Sequence, residues 1–170
     1  MIGKLSFIKN VVLYTFVQEI MASYRGSLLV VEDSNADFRL IKRLMRKMDV
    51  QNPIYRCKTG DEALELMYQK SEEQAIGLEH HPEIILLDLN LPGTDGRAVL
   101  AKLKQDQVLK KIPIVVFTCS SASNDIAFCY AQGANGYMVK PVGLSDLTKT
   151  LQAFVDYWLG SNTSPFFVMS

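Results

Sequence analysis

Five short apolar runs, rich in β-branched residues and separated by segments of helical period, constrain this chain more than any other feature. The runs are Leu28 to Val31, Ile54 to Cys57, Ile84 to Leu87, Ile114 to Phe117 and Gly136 to Val139. Most are continuously apolar rather than alternating, as strands buried on both faces must be. Strands that alternate with helices in this way imply an α/β fold, a doubly wound five-stranded parallel sheet covered by helices on both faces. With 170 residues, 48% of them hydrophobic, the chain has length for one such domain and not comfortably for two.

The helical segments carry their own signals. Phe38, Ile41, Met45 and Met48 make one stripe, which places the first helix after Ser34. Thr59 followed by Glu62 is a capping box for the second, whose apolar face continues through Ala63, Leu64, Met67 and Tyr68. A third helix is expected over 97–105, and a fourth over 124–132 with Gly133 as its stop. For the fifth, Leu144, Leu147, Leu151, Phe154, Val155 and Trp158 predict one helical stripe up to Gly160.

These segments bound a domain over 27–160, with an extension at 1–26 and a tail at 161–170. The extension has an apolar patch at Val11, Val12, Leu13, Phe16 and Val17, but Gln18 and Glu19 interrupt it well short of the ~20 apolar residues of a spanning helix. An amphipathic helix, a dimer contact or an overextended start before Met21 are the expectations there, and no membrane span is expected. The polar stretch from Gln69 to Pro82 extends the second helix and then forms a loop, with His80 and His81 as solvated loop histidines. No output domain is expected after the fifth helix, where ten residues remain.

Eighteen basic and 18 acidic residues cancel, which removes the electrostatic footprint of a nucleic-acid binder. Cys57, Cys119 and Cys129 fit neither a disulfide framework nor a metal spacing, so a reducing cytoplasm suits the chain.

Ligands of open parallel sheets bind outside the carboxyl ends of the strands. Glu32 and Asp33 follow the first run, Asp88 the third, Thr118 the fourth, and Lys140-Pro141 the fifth. Clustered carboxylates repel one another, and a hard divalent cation such as Mg2+ resolves the conflict. A positioned carboxylate, a metal and donors for phosphoryl oxygens are the requirements of in-line phosphoryl transfer. Asp88 is the nucleophile candidate, because it ends the central run and enters the turn Leu91-Pro92-Gly93-Thr94-Asp95-Gly96.

These residues resemble the receiver domains of two-component response regulators over Leu28 to about Leu159. The resemblance rests on Glu32-Asp33, on Asp88 within Leu-Leu-Asp-Leu-Asn-Leu-Pro-Gly-Thr-Asp-Gly, on Thr118, and on Tyr137-Met-Val-Lys140-Pro141, with 30 residues from Asp88 to Thr118 and 22 from there to Lys140. Glu-Asp-Ser-Asn-Ala-Asp-Phe at 32–38, Asp-Leu-Asn-Leu-Pro at 88–92, Asp-Gly-Arg at 95–97 and the aromatic segment 154–158 are similar to the single-domain regulators that partner phytochromes.

The resemblance implies a flavodoxin-like sheet of order 2-1-3-4-5, with Asp88 phosphorylated by a sensor histidine kinase of the phytochrome type. It implies Mg2+ on Asp33, Asp88 and the Asn90 carbonyl, with Glu32 acting through water. Thr118 and Lys140 would bind the phosphoryl group, and Tyr137 would turn inward as Thr118 moves, against its simpler reading as packing. A signal would leave through the fourth helix, fifth strand and fifth helix, the face that, with the aromatic segment, would form a homodimer. The family's cis bond at Lys140–Pro141 is a further implication, set against the general trans preference. Cys119 departs from the smaller residue frequent in the family, which implies an altered lifetime of the acyl phosphate. Asn90 and Ser120 are expected to tune its hydrolysis.

Two other classes compete. An aspartyl-phosphate phosphatase of the haloacid dehalogenase type needs Asp-x-Asp after its first strand, whereas Asp88 follows the third and is paired with Asn90. A receiver-like binding module working without phosphorylation would not need Asp88, Thr118 and Lys140 together. A flavodoxin-like cofactor protein would need a phosphate loop after the first strand, and none is present.

Overall fold

The computed structural model describes residues 26–68 and 82–163. Five parallel strands form one sheet: β1 (Leu28–Val31), β2 (Ile54–Cys57), β3 (Ile84–Leu87), β4 (Ile114–Thr118) and β5 (Gly136–Val139). Their order is β2-β1-β3-β4-β5, with Leu28 opposite both Ile54 and Ile84, Leu87 opposite Val116, and Thr118 opposite Val139. This is the expected doubly wound order. The three central strands are buried along their whole length, which is why their sequences lack alternation.

Side chains of a strand point alternately to opposite faces, so each strand feeds two cores. On one face Leu29, Val31, Ile85, Leu87, Ile114 and Val116 pack against α2 (Gly60–Tyr68), α3 (Gly96–Gln105) and α4 (Ser123–Ala131). On the other, Leu28, Val30, Ile84, Leu86, Val115 and Phe117 pack against α1 (Asn35–Lys47) and α5 (Leu144–Phe154). Leu151 and Phe154 of α5 are fully buried, and each such side chain contributes about 1.5–3 kcal/mol.

Helix ends follow local chemistry. The Ser34 hydroxyl accepts the Asp37 amide at 3.2 Å and starts α1. Thr59 accepts the Glu62 amide at 3.0 Å, but the Glu62 carboxylate returns to the Lys58 amide at 2.6 Å, one residue earlier than a strict capping box requires. Gly133, at φ +92°, ends the α4 segment in a conformation glycine adopts freely.

Several expectations need correction. α3 and α4 begin at Gly96 and Ser123, one residue before the approximate starts expected, while β4 ends in Thr118 as expected, its ladder continuing to Val139. Leu144 is exposed, since it occupies the first turn of α5 beyond the edge of the core. The fifth helix is not regular to Gly160, because it widens into π-helical turns over Val155–Ser161. Among the described residues no peptide bond is cis, so Lys140–Pro141 is trans, the intrinsic preference of X–Pro bonds. The Lys140 amide there donates to the Thr118 carbonyl at 2.7 Å and prolongs the ladder. The N-terminal apolar patch and the loop carrying His80 and His81 lie outside the described residues, as does most of the tail.

Candidate functional site

The parallel register brings the carboxyl ends of β1, β3, β4 and β5 to one rim. Glu32 and Asp33 leave β1 there, Asp88 leaves β3, Thr118 ends β4, and Lys140 follows β5. Carboxylate oxygens of Glu32, Asp33 and Asp88 all lie within 4.8 Å of one another. Glu32 and Asp88 are buried, while Asp33 is exposed at the mouth. Such a donor set of three oxygens, open on one side, fits a hard divalent cation.

Lys140 spans the pocket. Its Nζ lies 2.6 Å from Glu32 Oε2, 2.5 Å from Asp88 Oδ2 and 3.6 Å from Asp37 Oδ2, with the Phe117 ring beneath it at 5.8 Å. Burial alone lowers the affinity of Lys140 for its proton, but the hydrogen bonds to Asp88 and Glu32 outweigh it and hold the ammonium above its usual range. For Glu32 burial wins over the attraction of Lys140, and its carboxyl is pushed up.

Backbone groups complete the cage. Asp88 Oδ1 accepts the Asn90 amide at 3.1 Å, and Glu32 Oε1 accepts the Ser34 amide at 3.0 Å. Gly96, at the start of α3, lies against the Asp88 backbone so closely that a Cβ there would sit 2.1 Å from the Asp88 carbonyl oxygen. A side chain at this position would force the backbone around Asp88 to shift.

Thr118 is fully buried, and its Oγ1 accepts the Ser120 amide at 3.4 Å. Tyr137 is half-buried, and its hydroxyl donates to the Ser120 carbonyl at 3.0 Å. Cys119 is exposed beside them.

Other residues that shape the site were not singled out in the sequence. Arg56, from edge strand β2, donates to the carbonyls of Glu32 and Asp33 at 2.9 Å each and to Asn35 Oδ1 at 2.7 Å, fixing the acidic loop. Asp61, in α2, accepts the Thr94 amide at 3.1 Å and the Thr94 hydroxyl at 2.5 Å, fixing the turn after Asp88. Arg56 had a visible cue, an arginine within an otherwise uncharged strand. Asp61 had none.

A doubly wound sheet with an acidic triad and a lysine at its carboxyl rim defines a class of phosphoacceptor domain. The chain belongs to the response regulator receiver domain family, whose profile matches residues 28–152. Members of this class catalyse their own phosphorylation and dephosphorylation and are not conventional turnover enzymes. The chain is 38% identical over 138 residues to response regulator Rcp1 of Synechocystis sp., covering 81% of this chain and 92% of that protein. It is 37% identical over 138 residues to the probable methanogenesis regulatory protein FilR2 of Methanothrix harundinacea, covering 81% and 86%. Among solved structures, the phosphorylated cyanobacterial phytochrome response regulator RcpA superposes with a TM-score of 0.76 at 36% identity, covering 84% of this chain and 99% of that one. The Mn2+-bound form of Rcp1 superposes with a TM-score of 0.74 at 38% identity, covering 82% and 99%.

Proposed function

We propose that Asp88 is the phosphoacceptor and that its donor is a phosphohistidine on a sensor histidine kinase of the phytochrome type. The observation that carries this reading is Lys140 Nζ set between Asp88 and Glu32, with Asp33 close by. A carboxylate oxygen of Asp88 attacks phosphorus, the N–P bond breaks with its electron pair returning to the donor imidazole, and an acyl phosphate forms. Hydrolysis by water then releases inorganic phosphate and restores the carboxylate.

Mg2+, held by Asp33, Asp88, the Asn90 carbonyl and, through water, Glu32, would neutralise charge on the transferring group. Lys140 leaves its Asp88 contact to bind a phosphoryl oxygen, and the Thr118 hydroxyl donates to another. Tyr137 follows Thr118 inward and alters the surface of α4, β5 and α5. Exposed Phe128, Tyr130, Val139, Val142, Leu144 and Tyr157 favour this region as a homodimer face. A cytoplasmic location agrees with three free cysteines, and no helix among the described residues is long and apolar enough to cross a membrane.

The phytochrome assignment rests on the similarity to RcpA and Rcp1. Intact mass after incubation with Mg2+ and acetyl phosphate tests the chemistry: wild type gains one phosphoryl group and Asp88→Asn none. A wild type that stays unmodified overturns the reading. Transfer from purified phosphorylated kinases tests the partner, and faster transfer from non-phytochrome kinases would remove the phytochrome assignment.

A further inference from the structure

Between the acceptor turn and the loop after β4 runs a continuous set of hydrogen bonds that the phosphoryl chemistry does not use. Arg97, in the first turn of α3, forks onto Asp125 of α4, with Nε 2.9 Å from Oδ1 and the second terminal nitrogen 2.7 Å from Oδ2. Its remaining nitrogen holds Asp95 Oδ2 at 2.9 Å, so the guanidinium is fixed on two sides. Asp125 Oδ2 also accepts the Ser120 hydroxyl at 2.5 Å.

Ser120 is the hub of this set. Its amide donates to Thr118 Oγ1, its carbonyl accepts the Tyr137 hydroxyl, and its side chain is held by Asp125. Thr118 and Tyr137 thus share one anchor, and that anchor is tied to α3, whose first residue, Gly96, lies on the Asp88 backbone. For Thr118 to turn its hydroxyl toward a phosphoryl oxygen, the Ser120 amide must follow or lose its acceptor.

We propose that Arg97 and Asp125 are positioning residues which lock Ser120, and through it Thr118 and Tyr137, in the resting arrangement, and so slow phosphorylation of Asp88. The proposal rests on Asp88 being the phosphoacceptor. The lock acts through one shared hydrogen bond, Ser120 to Asp125. Removing Arg97 leaves Asp125 free to turn away, and removing the Ser120 hydroxyl cuts the same link from the other side. Both changes should therefore have one effect, not two.

The test uses the full chain with Mg2+ and acetyl phosphate, and compares wild type, Arg97→Ala, Ser120→Ala and the double variant. Each single variant should phosphorylate about fivefold faster, the factor equivalent to one hydrogen bond of ordinary net strength. The double variant should match the singles. Amide hydrogen exchange over 119–122 in the unphosphorylated protein should rise in all three, a readout independent of Asp88. Unchanged or slower phosphorylation in Ser120→Ala, whose small change leaves folding intact, overturns the lock. Additive effects in the double variant do so as well. A wild type that is never phosphorylated instead removes the reading of Asp88, and the exchange data still judge the lock.

Discussion

Lys140 Nζ lies 2.6 Å from Glu32 Oε2, although 108 positions separate the two residues in the chain. The contact closes the rim of the sheet between its first and last strands. Both partners are nearly sealed from water, with side-chain exposures of 8% and 3%.

Replacing Lys140 by Met should therefore leave Glu32 and Asp88 as buried carboxylates without their cation. Breaking a buried ion pair from one side costs about 3–5 kcal/mol. Urea unfolding in chelator should show a loss of that size, part of it recovered by millimolar divalent cation. An unchanged midpoint would mean that the pocket relaxes open without the lysine.

Acid should weaken the link between α3 and α4. The Arg97 guanidinium and then the Ser120 hydroxyl hold the Asp125 carboxyl down to about 2, below its unfolded value of 3.8. A lowered carboxyl stabilises the fold above its unfolded pKa, and the contribution disappears as pH falls toward the folded one. Wild type should lose stability between about pH 4 and 2 more steeply than Asp125→Asn, as judged by urea midpoints across that window. Parallel curves for the two proteins would contradict this.

Gly96→Ala places a methyl group against the Asp88 carbonyl and the Leu89 Cα, which are backbone atoms with little room to yield. Overpacking of this kind costs about 1–3 kcal/mol. Thermal unfolding should register the loss, and phosphorylation by acetyl phosphate should slow because the acceptor turn must shift. A variant with wild-type stability and rate would show that the turn is softer than the contact implies.

The three thiols should separate by access. Burial pushes the Cys57 thiol up to about 12, with Glu62 adding to it, and burial also raises Cys129. Cys119 is exposed. A neutral thiol reagent should add one label to the native protein and three in denaturant, read by intact mass. A second fast native label would place Cys57 or Cys129 nearer to solvent than the packing shows.

The strands were legible because burial on both faces demands uninterrupted apolar residues, and Ile84 to Leu87 can satisfy little else. The site was legible because its groups stand at strand ends, as Asp88 and Lys140 do, where sequence order already implies a shared rim. What the sequence concealed are the cross-element hydrogen bonds. Asp61 to Thr94 and Arg97 to Asp125 join residues 33 and 28 positions apart through side chains whose meeting depends on helix placement. Each looks like an ordinary surface charge until the helices are in place. The change from α to π turns at Val155 was concealed for a related reason, because the apolar stripe through Trp158 is compatible with either winding.

Among the described residues the two cores share no side chain, so the sheet acts as a bulkhead between them. Tyr137 packs on the flank of α2, α3 and α4, whereas the lone indole, Trp158, packs on the flank of α1 and α5. Its fluorescence is thus a gauge of the α1 and α5 compartment, and a tryptophan reporter of the Tyr137 flank would have to be installed on the other side.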